Sequence, residues 1–98
     1  MIRALVNGSW DTFEDDQLQP GTDIFDLEDG LYETFRTKDH QPIFLAQHLD
    51  RLFASAESIG LKPHFQRDEI ETKVDQVIKE YSNPEQRVRI LLVPGKVI

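Results

Sequence analysis

Residues 47–56 read Gln47-His48-Leu49-Asp50-Arg51-Leu52-Phe53-Ala54-Ser55-Ala56, and this stretch predicts an amphipathic helix. Apolar residues recur at the three- and four-residue spacing that gathers them on one buried helix face: Leu45, Leu49, Leu52, Phe53, Ala56 and Ile59. A second stripe of the same helix is polar and cationic, and it consists of His48, Arg51 and Ser55. Because this stripe borders the apolar face, it offers hydrogen-bond donors to an anionic ligand at the edge of the core. We expect the helix to run from about residue 46 to residue 58 and to stop at Gly60.

The N-terminal residues predict a β-hairpin followed by a loop. Residues 2–6 and 9–13 flank Asn7-Gly8, a dipeptide typical of two-residue hairpin turns. Residues 14–16 are acidic and are interpreted as a solvated loop, and residues 19–23 contain a Pro-Gly break that predicts another turn.

A second hairpin is predicted directly before the helix. Residues 31–37 alternate as a strand does, with Leu31, Glu33, Phe35 and Thr37 on one side and Tyr32, Thr34 and Arg36 on the other. Residues 38–41 are the expected hairpin loop, and residues 42–45 are the expected returning strand.

The residues after the first helix predict a second helix and a final strand. Residues 67–81 carry one apolar helical face, made of Ile70, Val74, Val77, Ile78 and Tyr81. Residues 87–93 form a strongly apolar strand, which Pro94-Gly95 closes. Strands grouped ahead of helices predict the α+β class: a two-layer domain with an antiparallel sheet of about five strands and two helices on one face.

Composition narrows the functional classes. The 98 residues form one domain at most, and a net charge of −7 argues against nucleic acid and anionic membranes as partners. The absence of cysteine excludes disulfides and thiolate chemistry, and three scattered histidines predict no metal site. There is no apolar run of about 20 residues and no signal peptide at the start, so we expect a cytoplasmic protein.

Two motifs at a fixed separation resemble a known family. Asp29-Gly30-Leu31-Tyr32-Glu33-Thr34-Phe35-Arg36, followed by a turn and the helix from His48 to Ala56, resembles the N-terminal domain of the class IV, or fold type IV, pyridoxal-phosphate-dependent aminotransferases. That family includes branched-chain and D-amino-acid aminotransferases and 4-amino-4-deoxychorismate lyase. The likeness covers nearly the whole chain, so residues 1–98 are expected to be the small N-terminal domain of such an enzyme.

The resemblance implies roles for individual residues. It implies that Arg51 binds the phosphate of the cofactor, pyridoxal 5′-phosphate; the alternative is an arginine paired with an acid three or four residues away on a solvated helix. It implies that Tyr32 lines the substrate side of the pocket, whereas the alternative is a strand aromatic that faces the core. His48 either supports Arg51 or is a packed or surface histidine, and Glu33 is expected to have a structural role.

The chain also departs from the family pattern. The family's Schiff-base lysine and the acid that tunes the pyridine nitrogen are expected beyond residue 98, so no catalytic residue is assigned here and the chain alone is expected to be inactive. Pro94 stands before Gly95 where D-amino-acid aminotransferases and several relatives carry an arginine that helps to read the substrate carboxylate, and this departure argues against a D-amino-acid substrate. The chain is therefore expected to be a fragment or isolated domain of a longer enzyme, and its apolar end at residues 96–98 agrees with that expectation.

Three functions follow as hypotheses. The first is amino-group transfer between an amino acid and a 2-oxo acid by a homodimeric parent enzyme. The second is β-elimination on an amino-deoxychorismate-type substrate with the same cofactor. The third is a non-catalytic α+β domain for protein association. Because a missing partner domain would leave apolar surface uncovered, we expect the 98-residue chain to dimerise or to exchange an element with a second copy.

Overall fold

The computed structural model describes residues 2–14 and 30–98. In these ranges the chain forms, in order, β1 (Ile2–Val6), β2 (Ser9–Phe13), β3 (Leu31–Lys38), β4 (Gln41–Pro42), α1 (Leu45–Ser58), α2 (Arg67–Glu80), β5 (Arg87–Val93) and β6 (Lys96–Val97). This order confirms the α+β class. The turn predicted at residues 19–23 and most of the acidic loop at residues 14–16 lie outside the described residues.

The strands divide between two antiparallel sheets. One is the β1–β2 hairpin, and the other has four strands in the order β4-β3-β5-β6. The register of the central pair places Glu33 opposite Ile90 and Phe35 opposite Val88. The sequence predicts about five strands in a single sheet, the last of them at residues 87–93, with residues 96–98 only as an apolar end after it. Instead Lys96–Val97 forms β6, because Gly95 takes a positive φ of 77° and lets the chain turn back onto β5.

The core lies between the two helices and one face of the four-stranded sheet. Its buried members come from α1, α2 and the sheet: Phe35, Leu49, Leu52, Ala56, Ile70, Val74, Ile78, Val88, Ile90, Leu92 and Val97. This packing confirms that both helices lie on one face. Ile59 was predicted on the apolar face of the first helix, but it is exposed. The helix ends at Ser58, so Ile59 no longer follows the helical spacing that would turn it toward the core.

The backbone sets both ends of α1. Phe44 adopts left-handed dihedrals (φ 57°, ψ 33°) at the start of the helix, so the chain leaves the sheet after Pro42. The strand predicted at residues 42–45 is therefore wrong beyond its first residue. At the other end the N–H of Gly60 donates to the carbonyl of Glu57 (3.1 Å) and the N–H of Leu61 to that of Ala56 (2.9 Å). These two bonds terminate the helix, and they confirm the predicted C-terminal glycine.

The β1–β2 hairpin is tied to the rest of the domain by polar contacts at its turn. Asn7 and Gly8 both have positive φ (49° and 88°), as the predicted two-residue turn requires. The Asn7 amide donates to the carbonyl of Gly95 (3.0 Å) and accepts from the N–H of Val97 (2.9 Å). One asparagine therefore fixes the hairpin against the β5–β6 turn.

Candidate functional site

Glu33 occupies an unusual place for a charged residue. The alternation of β3 puts its side chain on the helix-facing side, next to Phe35. Among the residues that the structure describes, Glu33 is the one charged residue that is buried, with 8% of its surface exposed. An isolated carboxylate in such a position would lose its hydration, so it requires a cation or hydrogen-bond donors nearby.

Arg51 of α1 supplies that partner. Its Nε lies 3.0 Å from Oε2 of Glu33, and its Nη2 lies 2.7 Å from Oε1. The arginine side chain nevertheless remains 67% exposed. The guanidinium is thus held at the surface by one edge, because a carboxylate matches the fixed fork of its N–H groups. The alternative in which Arg51 pairs with an acid of its own helix is wrong, since its partner lies on β3.

His48 completes the arrangement from the preceding turn of α1. Its Nδ1 lies 2.7 Å from Oε1 of Glu33, and its ring lies 5.7 Å from that of Phe35 between centroids. Since a carboxylate only accepts hydrogen bonds, we assign the donated hydrogen to Nδ1. The three residues Glu33, His48 and Arg51 are called the Glu33 cluster below.

The electrostatics of the cluster favour the charged pair. Burial by itself raises the pKa of Glu33, but the hydrogen bonds from Arg51 and His48, together with their charges, outweigh it and hold that pKa below its ordinary value. The hydrogen bond to Glu33 and the negative charge of Glu33 raise the pKa of the Arg51 guanidinium. At neutral pH the cluster therefore contains a carboxylate bonded to a guanidinium.

The sequence predicts Arg51 as a site residue, but its pairing with Glu33 was not predicted. The alternation of residues 31–37 contained a signal for this pairing. It placed Glu33 on the same side of the strand as Phe35, and a carboxylate buried on that side requires a cation or hydrogen-bond donors. The polar stripe of the next helix, with His48 and Arg51, was the nearest candidate along the chain.

Tyr32 leaves β3 on the opposite face of the sheet from Glu33. Its side chain is not in the core, and 45% of the residue is exposed. The guanidinium carbon of Arg89, from the neighbouring strand β5, lies 5.7 Å from the centre of the tyrosine ring. The alternative of a core-facing aromatic is therefore wrong. Tyr32 and Glu33 occupy adjacent positions of β3 and project from its two faces.

A separate groove of about 550 Å³ lies between β1, α2 and β5. Most of its lining is apolar, including Leu5, Ile70 and Val74, and none of it belongs to the Glu33 cluster. Within residues 2–14 and 30–98, no group of three or more histidine, aspartate or glutamate side chains is placed to hold a metal ion. No helix in the same ranges is long and apolar enough to cross a bilayer.

Comparison with known proteins identifies the family. A family model described as amino-transferase class IV matches residues 30–96, which include Tyr32 and all of the Glu33 cluster. The D-alanine aminotransferases of two Staphylococcus epidermidis strains, RP62A and ATCC 12228, are each 29% identical to this chain over 80 residues. That alignment covers 82% of this chain and 28% of each relative, so the chain spans only a minor part of their length. Because the family model matches more than half of its residues, the chain belongs to the class IV aminotransferase family.

Proposed function

We propose that this chain is the N-terminal part of a pyridoxal-phosphate-dependent enzyme that transfers an amino group between an amino acid and a 2-oxo acid. In this proposal Arg51 binds the phosphate of the cofactor, and Tyr32 lines the substrate side of the pocket. The observation that carries the proposal is the state of Arg51, which is anchored along one edge and exposed along the rest of its guanidinium.

The donor set of Arg51 fits a phosphate group. Nε and one N–H of Nη2 donate to Glu33, and no described residue is hydrogen-bonded to Nη1. The outer edge of the guanidinium, from Nη1 to Nη2, therefore presents two N–H groups in one plane, the pattern that pairs with two oxygens of a phosphate. Its raised pKa keeps it charged throughout the range in which phosphate is an anion.

The remaining parts of the proposal follow from family membership. When bound, pyridoxal phosphate supplies an electron-withdrawing ring for bond changes at the α-carbon of an amino acid. We propose that the Schiff-base lysine lies beyond residue 98, that the 98-residue chain alone is inactive, and that the whole protein is a cytoplasmic homodimer. What this chain contributes is the binding and orientation of the phosphate.

A second candidate is β-elimination on an amino-deoxychorismate-type substrate. Pro94 supports this alternative, because the D-amino-acid branch of the family has an arginine at that position and the proline argues against that branch. Appearance of 4-aminobenzoate and pyruvate, rather than of a new amino acid, distinguishes elimination from transfer in the whole protein.

The test is Arg51→Ala in the 98-residue chain, with pyridoxal 5′-phosphate as the probe and NMR titration as the measurement. We expect affinity to fall by about tenfold or more, because the substitution removes charge-assisted donors. The spectrum of the fold should be retained, because His48 still bonds the Glu33 carboxylate. Arg36→Ala is the matched control, since it removes the same charge from the opposite face of β3. Equal losses in both variants, or no loss in Arg51→Ala, would show that Arg51 is not the phosphate site.

A further inference from the structure

We propose that Glu33 is a positioning residue, which holds Arg51 so that its outer edge is turned toward an arriving phosphate. This inference rests on the proposed function, because it concerns the same arginine. The proposed function assigns phosphate binding to Arg51, and here the orientation of that arginine is assigned to Glu33, a buried acid on β3.

The first step is the rigidity of the anchor. Glu33 has fixed neighbours on two sides: Ile90 of β5 is opposite it in the register, and α1 covers its face of the sheet. Its Oε1 accepts from both Nη2 of Arg51 and Nδ1 of His48, each at 2.7 Å, while Oε2 accepts from Nε of Arg51 at 3.0 Å. Both carboxylate oxygens are therefore engaged, and the carboxylate has little freedom to rotate.

The second step is the effect on Arg51. An exposed arginine ordinarily samples many rotamers and loses that freedom when it binds a ligand, which weakens binding. Here the inner edge of the guanidinium is already bonded, so its plane and direction are set before any ligand arrives. The loss of rotamer freedom has then occurred during folding rather than during binding.

Two opposing effects of Glu33 on phosphate affinity make the inference testable. A negative charge beside Arg51 repels a phosphate, so charge alone predicts that removing Glu33 tightens phosphate binding. Positioning predicts the opposite, because an unanchored Arg51 must be ordered by the ligand. We expect positioning to outweigh repulsion, since the guanidinium would separate a phosphate on its outer edge from Glu33, and solvent and salt screen charges at this exposed site.

The experiment compares Glu33→Gln with the wild-type chain, using pyridoxal 5′-phosphate and, separately, inorganic phosphate. We expect Glu33→Gln to bind both about tenfold more weakly. Glu57→Gln is the matched control, because it makes the same chemical change on the solvent side of α1 and is expected to leave affinity unchanged or slightly improved. Unchanged or tighter binding by Glu33→Gln overturns the inference.

A double-mutant cycle tests whether Glu33 acts through Arg51. Lysine at position 51 keeps the charge but has no fork for Glu33 to hold, so Glu33→Gln should change affinity by less than about twofold in an Arg51→Lys background. A loss as large as in the wild-type background would mean that Glu33 acts by another route, and it would overturn the proposal.

A readout that needs no ligand covers the case in which Glu33→Gln is poorly folded. The Nε–H of Arg51 should exchange slowly with water in the wild-type chain and about tenfold faster in Glu33→Asp, whose shorter side chain keeps the charge but shortens the reach. Fast exchange in the wild-type chain overturns the proposal. If Arg51→Ala leaves phosphate binding intact, the proposed function itself fails. If Arg51→Ala weakens binding but the Glu33 variants bind phosphate as the wild type does, the proposed function stands and this inference alone fails.

Discussion

Glu33 is a charged residue in an apolar layer, and its environment explains why the layer tolerates it. The strand places its carboxylate under α1, where desolvation opposes ionisation, and two donors from that helix reverse the balance. The same contacts leave Arg51 held yet exposed. One pair of residues thereby serves both the packing of α1 on β3 and the proposed phosphate site.

The lowered pKa of Glu33 predicts a pH dependence of stability. Since the unfolded chain has an ordinary glutamate pKa of about 4.3 and the folded chain a lower one, the ionised carboxylate stabilises the folded state fully above about pH 4.3. That contribution is lost as the pH falls through the lowered folded-state pKa. The free energy of unfolding in urea should therefore differ most between wild type and Glu33→Gln near neutral pH, and the difference should shrink in acid.

The control for this prediction is Glu57→Gln, measured over the same range of pH. It lies on the exposed side of α1 and should follow the wild-type curve. If the difference in the free energy of unfolding between wild type and Glu33→Gln stayed constant down to about pH 3, ionisation of Glu33 would not stabilise the folded state.

At the scale of elements, α1 owes its position to contacts at its two ends as well as to its apolar face. Arg67, the first residue of α2, donates from Nη2 to the carbonyl of Ala46 (2.9 Å) and pairs with Asp50, so it links the two helices. At the C-terminal end, Gly60 reverses the chain with a φ of 72°. These ends define where the helix lies on β3, and hence where Arg51 meets Glu33.

Gly60→Ala tests the helix end. A Cβ at this position would meet nothing within 4 Å, so the substitution is expected to lower the free energy of unfolding by about 1 kcal/mol through backbone strain alone. Gly60→Asn should lose less, because asparagine tolerates left-handed dihedrals. Chemical denaturation of both variants measures the effect, and equal losses would contradict an origin in the positive φ.

At the scale of the whole molecule, polar contacts help to join the β1–β2 hairpin to the rest of the domain. The β1–β2 hairpin is bonded to the β5–β6 turn through Asn7, and the hydroxyl of Tyr81 donates to the carbonyl of Arg3 (2.9 Å) and accepts from its N–H (3.0 Å). Among the described residues several large apolar side chains are exposed, and Phe44 is the most exposed of them at 66%. Such surface favours association with another chain or domain.

We expect the 98-residue chain to self-associate, and static light scattering over a range of concentrations measures this. Phe44→Asn should shift the distribution toward monomer without loss of fold, because asparagine suits the left-handed dihedrals at this position and removes the exposed ring. A wild-type chain that stays monomeric at high concentration would contradict the prediction.

Much of the local structure was accessible from the sequence because it depends on neighbours along the chain. The apolar period placed α1 within one residue of its observed start, and Asn7-Gly8 and Gly60 marked turns that their dihedrals confirm. The strand β4 was predicted with the wrong bounds and β6 was not predicted, since two-residue strands exist only through their partners in the sheet. No local pattern distinguishes them from loop.

The sequence by itself determined the α+β class, the family and the presence of a cationic stripe on the first helix. Only the tertiary structure decided what that stripe faces, because Glu33 and Arg51 lie 18 positions apart and meet only when α1 packs on β3. It also decided that Tyr32 points away from the helices. Periodicity arises from the chain's own geometry, whereas the partner of a side chain is set by how separate elements come together to bury their apolar faces.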